Sequence, residues 1–123
     1  MKKHLPTVLA LGLLLAVPAH AADGDATTGA NLFKTRCAIC HTPDQNRVGP
    51  KLGGVFGRKA GAISDYSYSS ALKASGLTWD AATLDKWLTG PAVLVSGTKM
   101  ALKLDNPQDR ADIIAYLKTL VAK

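Results

Sequence analysis

Cys37-Ala38-Ile39-Cys40-His41 constrains this chain more than any other five residues. Two thiols three positions apart can each add across a vinyl group of haem. The imidazole that follows directly then lies beneath the iron as an axial ligand, which is the c-type attachment spacing. Three rival readings use the same residues. A thioredoxin-like dithiol wants a strand before it and a βαβ pattern around it, whereas Asp25 to Arg36 reads as helix and no parallel-strand pattern follows. A structural zinc site needs four ligands, and the other two histidines, His4 and His20, fall in the leader described next. A plain structural disulfide fits an oxidising compartment. The haem spacing is favoured, and the rest of the chain decides.

Met1-Lys2-Lys3 gives a short basic start, followed by an apolar run from Leu5 to Val17 and then Pro18-Ala19-His20-Ala21. Small residues at Ala19 and Ala21 form a cleavage site, so residues 1–21 read as a secretory signal peptide and 22–123 as one domain. An uncleaved N-terminal anchor is the alternative; the run is shorter than the ~20 residues that a spanning helix needs. The expected product is exported, soluble and periplasmic, with no membrane segment in the mature chain. A domain of this size buries only ~60–70% of its unfolded surface, so a covalently held macrocycle would fill much of its core and stabilise the native state. The formal charge of the whole chain is +6, and losing Lys2 and Lys3 leaves it mildly positive. That balance suits steering toward an acidic partner but lacks the dense basic stripe of nucleic-acid binders. Gly53-Gly54-Val55-Phe56-Gly57-Arg58-Lys59 lacks the G-K-[ST] ending of a phosphate loop.

The periodicity is helical, with Gly- and Pro-rich loops. Asp25 caps a first helix running toward Cys37. Residues 42–67 read as loop, and a short helix near Ser69–Ser75 stops at Gly76. Asp80 caps a third helix with Leu84, Trp87 and Leu88 on one face, ended by Gly90-Pro91. Asn106-Pro107 opens the last helix, whose apolar stripe is Ile113, Tyr116, Leu117, Leu120 and Val121. An all-α domain follows, without internal repeats.

Met100 is the only methionine after the leader. A lone methionine usually fills core, but this one follows Ser96-Gly97-Thr98-Lys99 in a loop between helices. A loop can bring a thioether to the haem face opposite the histidine. Imidazole plus thioether raises the reduction potential and closes the iron to other ligands.

These features occur in a particular order: the attachment motif, Gly49-Pro50-x-Leu52, Gly57-Arg58-Lys59-x-Gly61, Tyr66-Ser67-Tyr68-Ser69, Trp79, Gly97-Thr98-Lys99-Met100 and Tyr116-Leu117. Together they resemble the class I c-type cytochromes of the mitochondrial and bacterial kind, from about Gly24 to the end. The resemblance implies a small single-domain cytochrome c fold, its helices packed around one haem c bound through Cys37 and Cys40. It implies His41 and Met100 as iron ligands, Pro50 offering its carbonyl to His41, and Arg58, Tyr68 and Trp79 bonding the haem propionates. Gly29 and Phe33 would pack against Ile113 and Tyr116 where the terminal helices cross.

The implied function is a non-enzymatic, monomeric one-electron carrier. It would shuttle between redox proteins such as a quinol-oxidising complex, an oxidase, a reaction centre or a dehydrogenase, in respiration or photosynthesis. A catalytic or gas-sensing haem protein with an open sixth position is the rival. The chain also departs from the family pattern. Leu72 and Trp87 stand where an Asn and a Tyr often order an internal water, Leu102 replaces an aromatic, and Ser96 replaces a proline. Ala92-Val93 occupies the place of a lysine pair, which thins the basic docking ring to Arg36, Arg47, Lys99 and Lys103.

Overall fold

The structure is a computed structural model that describes residues 1–3, 12–13 and 23–123. Most of the leader read at residues 1–21, with its cleavage site, lies outside them. Five helices follow in chain order: α1 (Ala26–Arg36), α2 (Ser70–Ala74), α3 (Ala81–Thr89), α4 (Pro91–Leu94) and α5 (Pro107–Thr119). Among the described residues there is no β-strand, only an isolated bridge between Lys59 and Thr78.

Each longer helix begins where a short polar side chain takes the N–H groups left unpaired by the first turn. Asp25 accepts from Thr27 and Thr28 at 2.8 and 3.2 Å. Asp80 accepts from Thr83 at 2.8 Å, and Asn106 from Gln108 at 2.8 Å. Ser69 does the same for the short α2, from Leu72 at 3.1 Å. Gly76 follows α2 at φ 69°, a left-handed turn that residues with a Cβ rarely adopt.

α1 and α5 cross in direct contact. Gly29 is buried, and a Cβ there would strike the Asp112 carbonyl and come within 2.9 Å of Tyr116 Cβ. Its lack of a side chain is what lets the two backbones meet. One turn on, Phe33 and Tyr116 rings lie 5.2 Å apart, tilted, within the preferred range for aromatic pairs. Asp112 is buried at 5% exposure and accepts from Asp25 N–H at 2.8 Å and Gln108 Nε2 at 2.9 Å. Its carboxylate therefore fastens the start of α1 to α5.

Two details differ from the sequence reading. Gly90-Pro91 ends α3, but Pro91 also opens α4, because a proline at the first helical position gives up an N–H that has no partner there anyway. Val121 lies beyond the end of α5 and is 70% exposed; the stripe of α5 is completed instead by buried Ile114. The long segment between α1 and α2 and the strap between α4 and α5 close over the remaining apolar face, and the cavity described next lies between them.

Candidate functional site

A cavity of about 380 Å³ is lined at once by Cys37, Cys40, His41, Pro50, Arg58, Tyr68, Trp79 and Met100. Residues separated by up to 63 positions in sequence thus face one space. Its remaining wall is mainly apolar, with Leu52, Val55, Leu84, Leu88, Ile113 and Leu117.

The attachment turn is made by the end of α1. Cys37 N–H returns to Phe33 O at 2.9 Å, and Cys40 and His41 N–H both bond Cys37 O, at 3.0 and 2.9 Å. That tight turn puts Cys37 and Cys40 on the cavity wall as free thiols. Burial pushes the Cys37 thiol up to about 11, with Arg36 opposing, so it is protonated at neutral pH. The imidazole of His41 is held from two sides. Nδ1 lies 2.8 Å from Pro50 O. A carbonyl only accepts, so Nδ1 carries the proton and Nε2 keeps its lone pair. Gly49 is buried against the ring, leaving no room for a Cβ. Burial lowers the His41 pKa, partly offset by Pro50, which favours the neutral, ligating form.

At another part of the wall Arg58 donates Nη1 to Gly53 O at 3.1 Å and Nη2 to Lys51 O at 3.2 Å. Its Nε is buried with no partner. Burial lowers the Arg58 pKa while Tyr68 opposes. The Tyr68 hydroxyl accepts from Ile63 N–H at 3.2 Å, which leaves its own proton to donate. An unpartnered guanidinium N–H beside a hydroxyl donor is a costly arrangement in an apolar wall, and an anionic group in the cavity would relieve it.

Met100 enters on the strap from Val95 to Asn106. Gly97 turns it at φ 90°, Thr98 N–H bonds Val95 O at 3.2 Å, and Leu104 N–H bonds Leu88 O of α3 at 2.8 Å. Arg110 fixes the far end through Leu104 O and Asp105 O at 2.8 and 3.1 Å, and pairs with Asp85 at 2.7 Å. Lys99 Nζ reaches Ser67 O at 3.2 Å, tying the strap to the residues before α2. Sequence reasoning missed a further contact: Trp87 Nε1 donates to Met100 Sδ at 3.2 Å. Helical spacing marks Trp87 as apolar face, and nothing local to either residue announces the pairing.

The rival readings of the cysteines find little here. Among the described residues no three His, Cys, Asp or Glu side chains group to hold a metal ion, and no βαβ unit surrounds the thiols. The cavity instead offers two thiols, a neutral imidazole, a thioether, an unpartnered guanidinium N–H and a hydroxyl with its proton free to donate, in mainly apolar walls. That donor set fits a haem with its carboxylates.

The sequence profile of the Cytochrome c family matches residues 26–121. The chain belongs to the cytochrome c family. Cytochrome c from Cochliobolus lunatus is 50% identical over 100 residues, spanning 78% of this chain and 93% of that protein. Cytochrome c2 from Rhodomicrobium vannielii is 46% identical over 123 residues, 97% of each chain. The solved structure of cytochrome cH from Methylobacterium extorquens matches with a TM-score of 0.75 at 50% identity, covering 78% of this chain and 99% of that one. With membership come the all-α cytochrome c fold and an electron-carrying haem protein. Among the described residues no helix of this cytochrome is long and apolar enough to cross a membrane.

Proposed function

We propose that this cytochrome is a periplasmic one-electron carrier whose single haem c is held by Cys37 and Cys40 and ligated by His41 and Met100. The observation that carries the reading is the gathering of all eight residues on one cavity. Haem supplies a one-electron ferric–ferrous couple when bound. Each Cys side chain contributes a thioether sulfur, which keeps the group from leaving. His41 presents Nε2 because Pro50 holds Nδ1, and the bond to Pro50 makes the imidazole a stronger donor. Met100 contributes a soft sulfur that favours the ferrous state and raises the potential. Arg58 Nε, Tyr68 O–H and Trp79 bind the propionates, so their charge is matched away from bulk water. The apolar wall excludes water from the remainder.

On this reading residues 1–21 direct export and are removed, leaving a soluble, monomeric domain from residue 22. The product is not an enzyme, since two protein ligands leave the iron no open position. Its redox partners are of the classes named above for the family, in a respiratory or photosynthetic chain.

Replacing Cys37 and Cys40 together with Ala is expected to abolish haem that survives acid–acetone extraction, because the chain has no other cysteine. Covalent haem in the double variant would overturn the attachment. The wild-type oxidised protein is expected to show the weak long-wavelength sulfur-to-iron absorption band and to bind CO slowly when reduced. Absence of the band with rapid CO binding would place the protein with catalytic or gas-sensing haem proteins.

A further inference from the structure

Arg58 is kept in the cavity wall by two carbonyls, those of Gly53 and Lys51, and its buried Nε has no partner. The Gly53 carbonyl belongs to the same peptide unit as the Gly54 N–H. That N–H donates to Leu120 O at 2.9 Å, in the tail that leaves α5. A trans peptide is planar and points its C=O and N–H in opposite directions, and the described residues contain no cis bond. One rigid plate is therefore gripped at both edges, by the tail on one side and by the guanidinium on the other.

The tail makes this contact mainly with backbone. Val121 is 70% exposed, yet its carbonyl oxygen lies only 2.7 Å from where a Cβ on Gly53 would stand. Ala122 approaches Gly54 as closely, its Cβ 2.9 Å from a Cβ built there. A side chain at either glycine would push the tail away. Gly53 N–H bonds Pro43 O at 2.8 Å, which fixes the chain entering the plate. The remaining tie, Lys123 to Asp44 at 3.3 Å, is an exposed pair and holds little. Leu120 O thus governs the tilt of the plate. Without that bond Gly53 O is free to move off Nη1, and the guanidinium loses one of its two anchors.

We infer that residues 120–123 position Arg58, through the Gly53–Gly54 peptide, for its bond to a haem propionate, which rests on the reading of Arg58 as a propionate partner. A guanidinium left loose matches the propionate charge less well, and unmatched negative charge favours ferric over ferrous iron.

The test removes residues 120–123 from the holoprotein. Exchange of the Arg58 Nε–H is read by nitrogen-15 NMR of the reduced protein, and the potential by spectroelectrochemistry. Leu120→Ala is the control, since it trims the same packing against the core but keeps the carbonyl. In the shortened protein the Nε–H is expected to exchange about tenfold faster, the order of one net hydrogen bond, and the potential to fall. Leu120→Ala is expected to lose stability and keep both values. An Nε–H as well protected in the shortened protein as in the wild type would overturn the role of the tail and leave the propionate reading standing. Faster exchange with an unchanged potential, in the shortened protein and in Arg58→Gln alike, would overturn the propionate reading and this inference with it. The intact protein gives a measurement that does not depend on how the shortened chain folds. Under native-state hydrogen exchange the Gly54 N–H and the Arg58 Nε–H are expected to open together, with one denaturant dependence. Separate openings would overturn the coupling.

Discussion

At the scale of single residues, His41 is the best-determined group in the cavity, because both its proton and its plane are fixed by backbone. Pro50 contributes only its carbonyl to that arrangement, whereas Gly49 contributes the space. An alanine methyl at position 49 would lie 2.6 Å from His41 Nδ1, well inside van der Waals contact. Gly49→Ala is therefore expected to push the ring off Pro50 O and to cost about 1–3 kcal/mol of holoprotein stability, the usual penalty of overpacking. Pro50→Ala keeps the carbonyl and is expected to leave the His41 Nδ1–H resonance of the reduced protein in place. The two variants separate a role for the Pro50 carbonyl from a role for its ring. If Pro50→Ala lost the resonance while Gly49→Ala kept it, the ring of the proline would be what holds the histidine. Much at this scale was legible from the chain, because the attachment turn is local. The pairing of Trp87 with Met100 was not, since it joins a helix to a strap thirteen positions away.

At the scale of elements, the starts of α1, α3 and α5 were legible because each is marked by a side chain acting on its own first turn, as Asp25, Asp80 and Asn106 do. Helix ends were harder. Val121 continues the apolar period of α5, but the helix closes at Thr119, and period alone carries no stop. Pro91 stops one helix and starts another, two meanings that one residue cannot separate. How α1 meets α5 was legible through Gly29 and Phe33 but not through Asp112, because nothing local in the sequence marks its carboxylate as reaching back to Asp25. Its burial decides its worth. Asp112→Ala would take away the acceptor of the part-buried Asp25 N–H, which is expected to lower the stability of the holoprotein by about 1–3 kcal/mol. Asp112→Asn keeps an acceptor oxygen and should recover most of that. The Asp85 carboxylate, 49% exposed in its pair with Arg110, is worth at most about 1 kcal/mol by comparison. Urea unfolding of the three variants measures the order; equal losses for Asp112→Ala and Asp85→Ala would show that Asp112 is no clasp.

At the scale of the whole molecule, the question is what a partner meets. Beside the cavity the surface carries Arg36 and Lys99, both exposed cationic residues of its lining, together with Val48 at 74% exposure and Ile39 at 78%. Val93, on the short α4 that leads into the Met100 strap, is 86% exposed, while Val95 at the start of the strap is buried. Of the apolar residues 92–95, then, the outward ones are Ala92 and Val93, and Leu94 and Val95 serve the core. This face is positive but sparsely so, with apolar residues between the charges. Exposed charges more than a Debye length apart, about 8 Å at physiological salt, are largely screened from one another. Only those near the site of electron exit then steer an anion. Stopped-flow oxidation of the reduced protein by ferricyanide across an ionic-strength series reads this out. The wild-type rate is expected to fall as salt rises. Arg36→Ala removes one charge from the cavity mouth and should flatten the fall, whereas Val93→Lys adds one beside the strap and should steepen it. The changes should be of similar size and opposite sign, since each alters the local charge by one unit. Equal slopes in all three proteins would mean that electrons leave by another face.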